Sequence, residues 1–231
     1  MSERPERPVD QRQRWRLVVA RTPDAPDEAQ REVADRWVSA IESAGLPVAW
    51  TEGARSRPRI AFGAPLPIGM AANGELIDVV VCERWPAWRV REALLGQVPA
   101  GWRLVELLDV WLAGPPLAGR VAAADYEVVL SGDPPLDRVG EAAAELLAAT
   151  NLPRQRVRGD ATVEYDLRPL LIDVAVEGGP PVRVLTRTRL HPELGTGRPE
   201  EVVAALGDRA GLALEIDRVV RERLVLAEDL P

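Results

Sequence analysis

A run of strand, helix, two strands, helix and strand, repeated with extra strands after a proline-rich break, predicts an α+β fold. The pattern is that of two tandem ferredoxin-like (split βαβ) domains, antiparallel sheets with helices on one face. A length of 231 residues suits one large domain or two small ones. With 46% hydrophobic and 28% charged residues, the composition is that of a soluble globular chain. The expected division is a flexible charged arm over 1–13, an N-terminal domain over 14–113, a linker over 114–124 and a C-terminal domain over 125–231.

Trp15 to Ala20 reads as a short buried strand. From Glu28 to Ala44, Val33, Trp37, Val38 and Ile41 recur at helical spacing, and Gly45 follows as a stop. Leu46 to Thr51 and Arg59 to Ala64 suggest short strands around a basic loop, and Asn73-Gly74 is a turn signal. Glu75 to Cys82 is apolar and β-branched enough for a central strand. Pro86 to Leu95 fits a helix with proline at its first turn, and Trp102 to Trp111 a closing strand bent midway. In the second half, Tyr126 to Leu130 is a strand and Leu136 to Ala149 a helix. Gln155 to Arg158, Thr162 to Leu167, Leu170 to Val176 and Val182 to Leu190 follow as strands, then a helix from Pro199 to Leu206 stopped by Gly207. Leu214 to Leu226 alternates like a strand, but Arg218 and Glu222 interrupt its apolar face, so its type stays open. Trp37 and Trp111 read as core, whereas Trp85 and Trp88 flank a helix start and suit a partner surface.

Composition excludes several classes of chemistry. One cysteine forms no intrachain disulfide and holds no iron–sulfur cluster, and one histidine builds no multi-histidine metal site. No cofactor or metal is assigned. No apolar run reaches signal-peptide or membrane-span length, so a cytoplasmic location without a membrane partner is expected. All basic residues are arginine, as a GC-rich genome would give, and the net charge of -7 argues against indiscriminate DNA or RNA binding while leaving room for a local basic patch.

Isolated motifs add little. Cys82 reads as a small buried core residue, since nothing nearby would hold a thiolate. His191 lacks a serine partner on a nucleophile elbow and reads as a loop residue. Gly195-Thr196-Gly197-Arg198-Pro199 could offer amides to an anion, although a plain turn into a helix is simpler. Arg55, Arg57 and Arg59 are the sharpest feature. Alternate residues of an extended segment point to one side, giving a single cationic row, with Glu52 and Phe62 flanking it. A solvated loop is the bland alternative.

At this loop the sequence resembles a bacterial family of radical-SAM-linked proteins of unknown function. The resemblance rests on Gly45-Leu46-Pro47-Val48-Ala49-Trp50-Thr51-Glu52-Gly53, on Arg57-Pro58-Arg59, and on Phe62-Gly63-Ala64-Pro65-Leu66-Pro67-Ile68-Gly69. Ala124 to Val128, Tyr165 to Leu170 and Thr196 to Val202 extend it. It implies a partner, a radical-SAM protein fused or encoded nearby, of the kind that can carry a cobalamin-binding domain. Cluster chemistry would belong to that partner. The family's Ser-His-x-Asp/Glu at the first helix corresponds to Ala29-Gln30-Arg31-Glu32 here, which keeps the acid and lacks the serine and histidine.

Three functions follow as expectations. The first is a non-catalytic accessory protein acting with a radical-SAM protein. The second is an RNA-binding module for tRNA or rRNA processing or modification, using the Arg55, Arg57 and Arg59 loop extended by Arg168 or Arg198. The third, a metal-free enzyme using Glu52 or Asp166, ranks last because no second group pairs with either acid; the balance points away from an enzyme.

Overall fold

The computed structural model describes residues 11–158 and 161–230. Most of the expected charged arm, residues 1–10, lies outside the described residues. The first half runs β1 (Gln13–Arg21), α1 (Gln30–Ser43), β2 (Ile60–Phe62), β3 (Ala71–Val81), α2 (Ala87–Leu95) and β4 (Trp102–Val110). The second runs β5 (Val121–Leu130), α3 (Leu136–Ala148), β6 (Pro153–Arg158), β7 (Ala161–Asp166), β8 (Leu171–Glu177) and β9 (Arg183–His191). It closes with β10 (Gly195–Thr196), α4 (Pro199–Ala210) and β11 (Ile216–Leu226).

The result is a mixed α/β architecture around a mostly antiparallel sheet of nine strands. Its order is β10-β9-β5-β11-β3-β1-β4, with β2 added to β3 and β8 to β9. In the first half β4, β1, β3 and β2 lie side by side, all antiparallel. In the second, β11, β5, β9 and β8 repeat that arrangement. Strands β6 and β7 form a separate hairpin. The halves join where β11 runs parallel to β3, pairing only Val220 with Ala71 and Arg221 with Ala72.

Alternation on β1 explains the first core. Trp15, Leu17 and Val19, with Ile77, Val79 and Val81 of β3, meet Trp37 and Ile41 of α1 and Val90 and Leu94 of α2. Trp37 stands edge-on to Trp102, ring centroids 5.8 Å apart. In the second half Val128, Leu130 and Val184 meet Val139 and Leu146 of α3 and Val202 and Leu206 of α4. A third cluster fills the junction: Leu76, Leu117, Tyr126, Leu224 and Leu226, closed by Ala64 and Met70.

Several sequence expectations are corrected. Asn73-Gly74 is no turn; it lies inside β3, where a Cβ on Gly74 would stand 2.8 Å from the carbonyl oxygen of Glu222, so the glycine serves the approach of β11. Gly207 lies inside α4, and a Cβ there would meet the carbonyl oxygen of Leu212; the helix ends instead at Gly211, in the left-handed conformation. Cys82 is exposed, because β3 ends at Val81 and the Cys82 amide turns to the Pro47 carbonyl. Trp111 falls one residue past β4 and is 76% exposed. Leu46 to Thr51 contributes only isolated bridges, Val48 to Val81 and Trp50 to Pro58. Residues 121–124 of the expected linker begin β5. The earlier part is tied down, for Arg14 donates to the carbonyls of Gly114 and Pro115.

The ambiguous terminal segment is a strand. Three register shifts along the β11–β5 pairing break its alternation and explain the interruption in the sequence. The bend expected in β4 is a bulge at Val105, since Val18 pairs with Glu106 while Val19 pairs with Leu104. At the seam, Arg221 is only 2% exposed. Its Nε and Nη2 donate to the two carboxylate oxygens of Glu75 at 2.6 and 2.5 Å, and Nη1 donates to Pro65 O at 2.9 Å. Removing one partner of such a pair leaves a buried charge. Arg221→Met is therefore expected to cost about 3–5 kcal/mol in urea unfolding. The double variant Glu75→Leu/Arg221→Met should regain part of that and remain about 1–3 kcal/mol short, because the Pro65 carbonyl stays unpaired.

Candidate functional site

Two surface features combine chemistry with shape. The first is the basic hairpin. After Val48, the Ala49 amide bonds to Val80 O at 2.8 Å, and the chain then leaves the sheet. It returns with Trp50 opposite Pro58, Thr51 N donating to Arg57 O and Arg59 N to Ala49 O. The Thr51 hydroxyl accepts from the Arg57 amide at 3.0 Å, and Gly53 supplies the positive φ that the turn needs. Arg57 and Arg59 thus stand two apart on one extended arm, and Arg55 sits in the turn rather than in line with them. All three side chains are exposed, without an ion pair or hydrogen bond among the described residues. Glu52 is exposed beside the turn.

The second feature is a cleft of about 590 Å³ between the halves. Pro65, Leu66 and Met70 wall one side, Thr196, Arg198 and Pro199 at the start of α4 the other, with Tyr126 and Arg221 also lining it. Arg21 fixes the first wall by donating to Met70 O at 2.9 Å and to the carbonyls of Ala25 and Pro26. Gln30 of α1 accepts from the Leu66 amide at 3.2 Å. Gly197 is required for packing: a Cβ there would lie 2.8 Å from that of Thr188, and its amide already bonds to Arg189 O. Segments 62–69, 124–128 and 196–202, distant in sequence, all contribute residues to this cleft or its wall.

The remaining predicted residues have other surroundings. Phe62 is half-buried and lines an apolar cavity of about 20 Å³ with Val19, Trp37, Leu66 and Trp102, so it belongs to packing. Arg168 ends α3: Nε donates to Ala149 O, Nη2 to Leu147 O and Nη1 to Leu171 O, leaving little of it for a ligand. Arg198 is exposed at the cleft, where it lines the wall opposite Pro65 and Met70. Asp166 accepts from the amides of Leu152 and Arg168 and closes the base of the β6–β7 hairpin. His191 Nδ1 accepts from the amides of Glu193 and Leu194, which orders its turn. Among the described residues, no three His, Cys, Asp or Glu side chains cluster as metal ligands, and no helix is long and apolar enough to cross a membrane.

Of the aromatic side of this surface, sequence reasoning finds Trp88, which is 66% exposed, and misses Trp50, which is 53% exposed, and Trp111. The signal for Trp50 was its place just before a Thr-Glu-Gly turn; for Trp111, strand periodicity pointed the wrong way.

Fold and site together define an α+β protein with one basic hairpin and one cleft between its halves. The chain belongs to the family described as uncharacterized protein conserved in bacteria (DUF2344), which matches residues 14–201. No curated protein sequence matches it. Among solved structures it is similar to a Cbf5–Nop10–Gar1 complex, with 13% identity, a TM-score of 0.47, and coverage of 90% of this chain and 48% of that one. It is also similar to an archaeal box H/ACA sRNP Nop10–Cbf5 complex, with 14% identity, a TM-score of 0.40, and coverage of 88% and 46%. A third likeness, an unknown protein from Galdieria sulphuraria, has 12% identity, a TM-score of 0.26, and coverage of 89% and 97%. The chain spans about half the length of the first two.

The two tyrosines near these features are both shifted upward. Burial raises Tyr126 in the cleft. Burial, then the hydrogen bond to Glu201, pushes Tyr165 up to about 12. That same Glu201 accepts Arg156 Nε at 3.0 Å and Nη2 at 2.8 Å, locking the β6–β7 hairpin to α4. A phenol raised in the folded state stabilises it fully below the unfolded value near 10, and that stability is lost as pH rises through the folded value. Near pH ~10.5 the native protein should show clearly less phenolate absorbance than the urea-unfolded chain. A native midpoint at the ordinary value would refute both placements.

Proposed function

We propose that the protein is an RNA-binding module whose hairpin places Arg55, Arg57 and Arg59 on phosphates, in a role tied to tRNA or rRNA processing or modification. One observation carries this reading. The chain spends most of its guanidinium groups on internal carboxylates and carbonyls, yet leaves the hairpin arginines exposed and unpaired among the described residues. In an acidic protein such a patch gives local rather than indiscriminate attraction. Arg198 would serve only an RNA long enough to reach the cleft, and Glu52 would steer the phosphates away from its side of the turn. The repeated strand order, with helices on one face, supports reading the halves as tandem ferredoxin-like domains joined at residues 114–120. A cytoplasmic location goes with the same reading.

The test is salt dependence. Each phosphate contact on a single strand contributes about 0.7 to the slope of log affinity against log salt. Replacing Arg55, Arg57 and Arg59 together by alanine should weaken RNA binding and make the slope shallower by about 2. Unchanged affinity removes the hairpin from the interface.

A second reading is an accessory role beside a radical-SAM protein. The resemblance supports it, and so does the meeting of three resembling segments at one cleft, a placement that suits a family-wide role there. Co-expression with a radical-SAM protein of the kind the resemblance implies, followed by a tagged pull-down, should recover the two in near-equal amounts. Recovery of this chain alone would end that reading.

A further inference from the structure

We propose that the end of the first-half sheet that bears the hairpin is a binding surface for single-stranded RNA, with exposed tryptophans stacking on unpaired bases. The proposal rests on the RNA-binding reading and names the form of RNA. Topology gathers the parts. Strand β1 begins, and β3 and β4 end, on the same side of the sheet, because Gln13 pairs with Val81 and Arg14 with Val110. Trp111 follows β4 directly, and Cys82 to Trp85 follow β3. The amide of Trp85 donates to Gln13, whose Nε2 donates in turn to Asp109 of β4, so the start of α2 is tied between these strands. The hairpin leaves from Val80 and Val81 at this same end.

Three tryptophans there are largely open: Trp50 at 53%, Trp88 at 66% and Trp111 at 76%. A single exposed ring is ordinary, but open rings gathered at one end of a sheet mark an interaction surface. The cations beside them indicate which partner. Segments 50–59 and 82–91 hold six arginines against two glutamates, in a chain whose net charge is -7. Arg84 and Arg91, like the hairpin arginines, have no ion pair or side-chain hydrogen bond among the described residues. Arg89 lies 3.7 Å over the ring of Trp85, a stacked pair that exposes the planar guanidinium to a further layer. Alternating cations and open aromatic faces suit an unpaired polyanion whose bases can stack. An RNA duplex keeps its bases stacked internally and offers these rings nothing.

The full-length chain would be titrated with a single-stranded RNA of about 12 nucleotides and with the same RNA annealed to its complement. Tighter binding of the single strand is expected, with quenching of tryptophan fluorescence. Trp50→Leu, Trp88→Leu and Trp111→Leu should each weaken single-strand binding about tenfold for every base that stacks, with the salt slope kept. These residues are exposed, so an unchanged urea midpoint checks the fold. If the tryptophan variants bind as tightly as the parent while the triple arginine variant still loses affinity, stacking is wrong and phosphate contact survives. Preference for the duplex likewise overturns the proposal. If neither RNA binds, both readings fall. Loss of a co-purifying protein from the tryptophan variants, with RNA binding intact, would assign the surface to a protein partner and overturn the proposal as well.

Discussion

The pairing of Arg221 with Glu75 decides how the two halves meet. The backbone contribution at the seam is small, two residue pairs between β11 and β3. Beside the apolar junction cluster, a buried guanidinium bridges β11 to β3 through Glu75 and to the incoming loop through the carbonyls of Ala64 and Pro65. Because this one side chain holds strand and loop together, it sets both the continuity of the sheet and one wall of the cleft. The neighbouring tight approach at Gly74 admits no side chain, so seam and loop are specified as a unit.

Absence of lysine shapes the rest of the molecule. A guanidinium carries five donors in a fixed plane and can satisfy several acceptors at once. Arg14 and Arg16 share the buried Asp78, and Arg14 also binds two carbonyls of the connecting segment. Arg21 gathers three carbonyls around the Met70 loop, and Arg168 ties two carbonyls at the end of α3 to that of Leu171 in β8. Across the open face of the second-half sheet, Arg187 and Arg223 converge on Asp125. Against this internal use, the free arginines at the hairpin end stand out as a surface feature rather than a by-product of composition.

Much of the fold is legible in the sequence because periodicity reports burial. The alternation Trp15, Leu17, Val19 and the helical spacing of Val33, Trp37 and Ile41 locate β1 and α1 within a few residues. Glycines mislead in β3 and α4, where they answer to a neighbouring backbone instead of a turn, and no local pattern distinguishes those cases. Strand β11 resists reading because its bulges shift the alternation and one inward position is a charged arginine paired 146 residues away. The hairpin arginines are legible as a basic row, but their freedom from partners is a property of the folded molecule. The cleft is wholly tertiary, assembled from segments that share no local signal.

The sheet is also finished at both rims. A wide, mostly antiparallel sheet ordinarily offers two open edges to any passing strand. Here one rim is formed by the seven-residue β8, which carries Asp173 and Glu177, and by the two residues of β10. At the other, the bulge at Val105 interrupts β4, and Arg103, Glu106 and Asp109 punctuate its length with charge. A bulge twists an edge out of plane and charge makes its pairing costly. Along β4 the nine-stranded layer is therefore a poor template for a further strand.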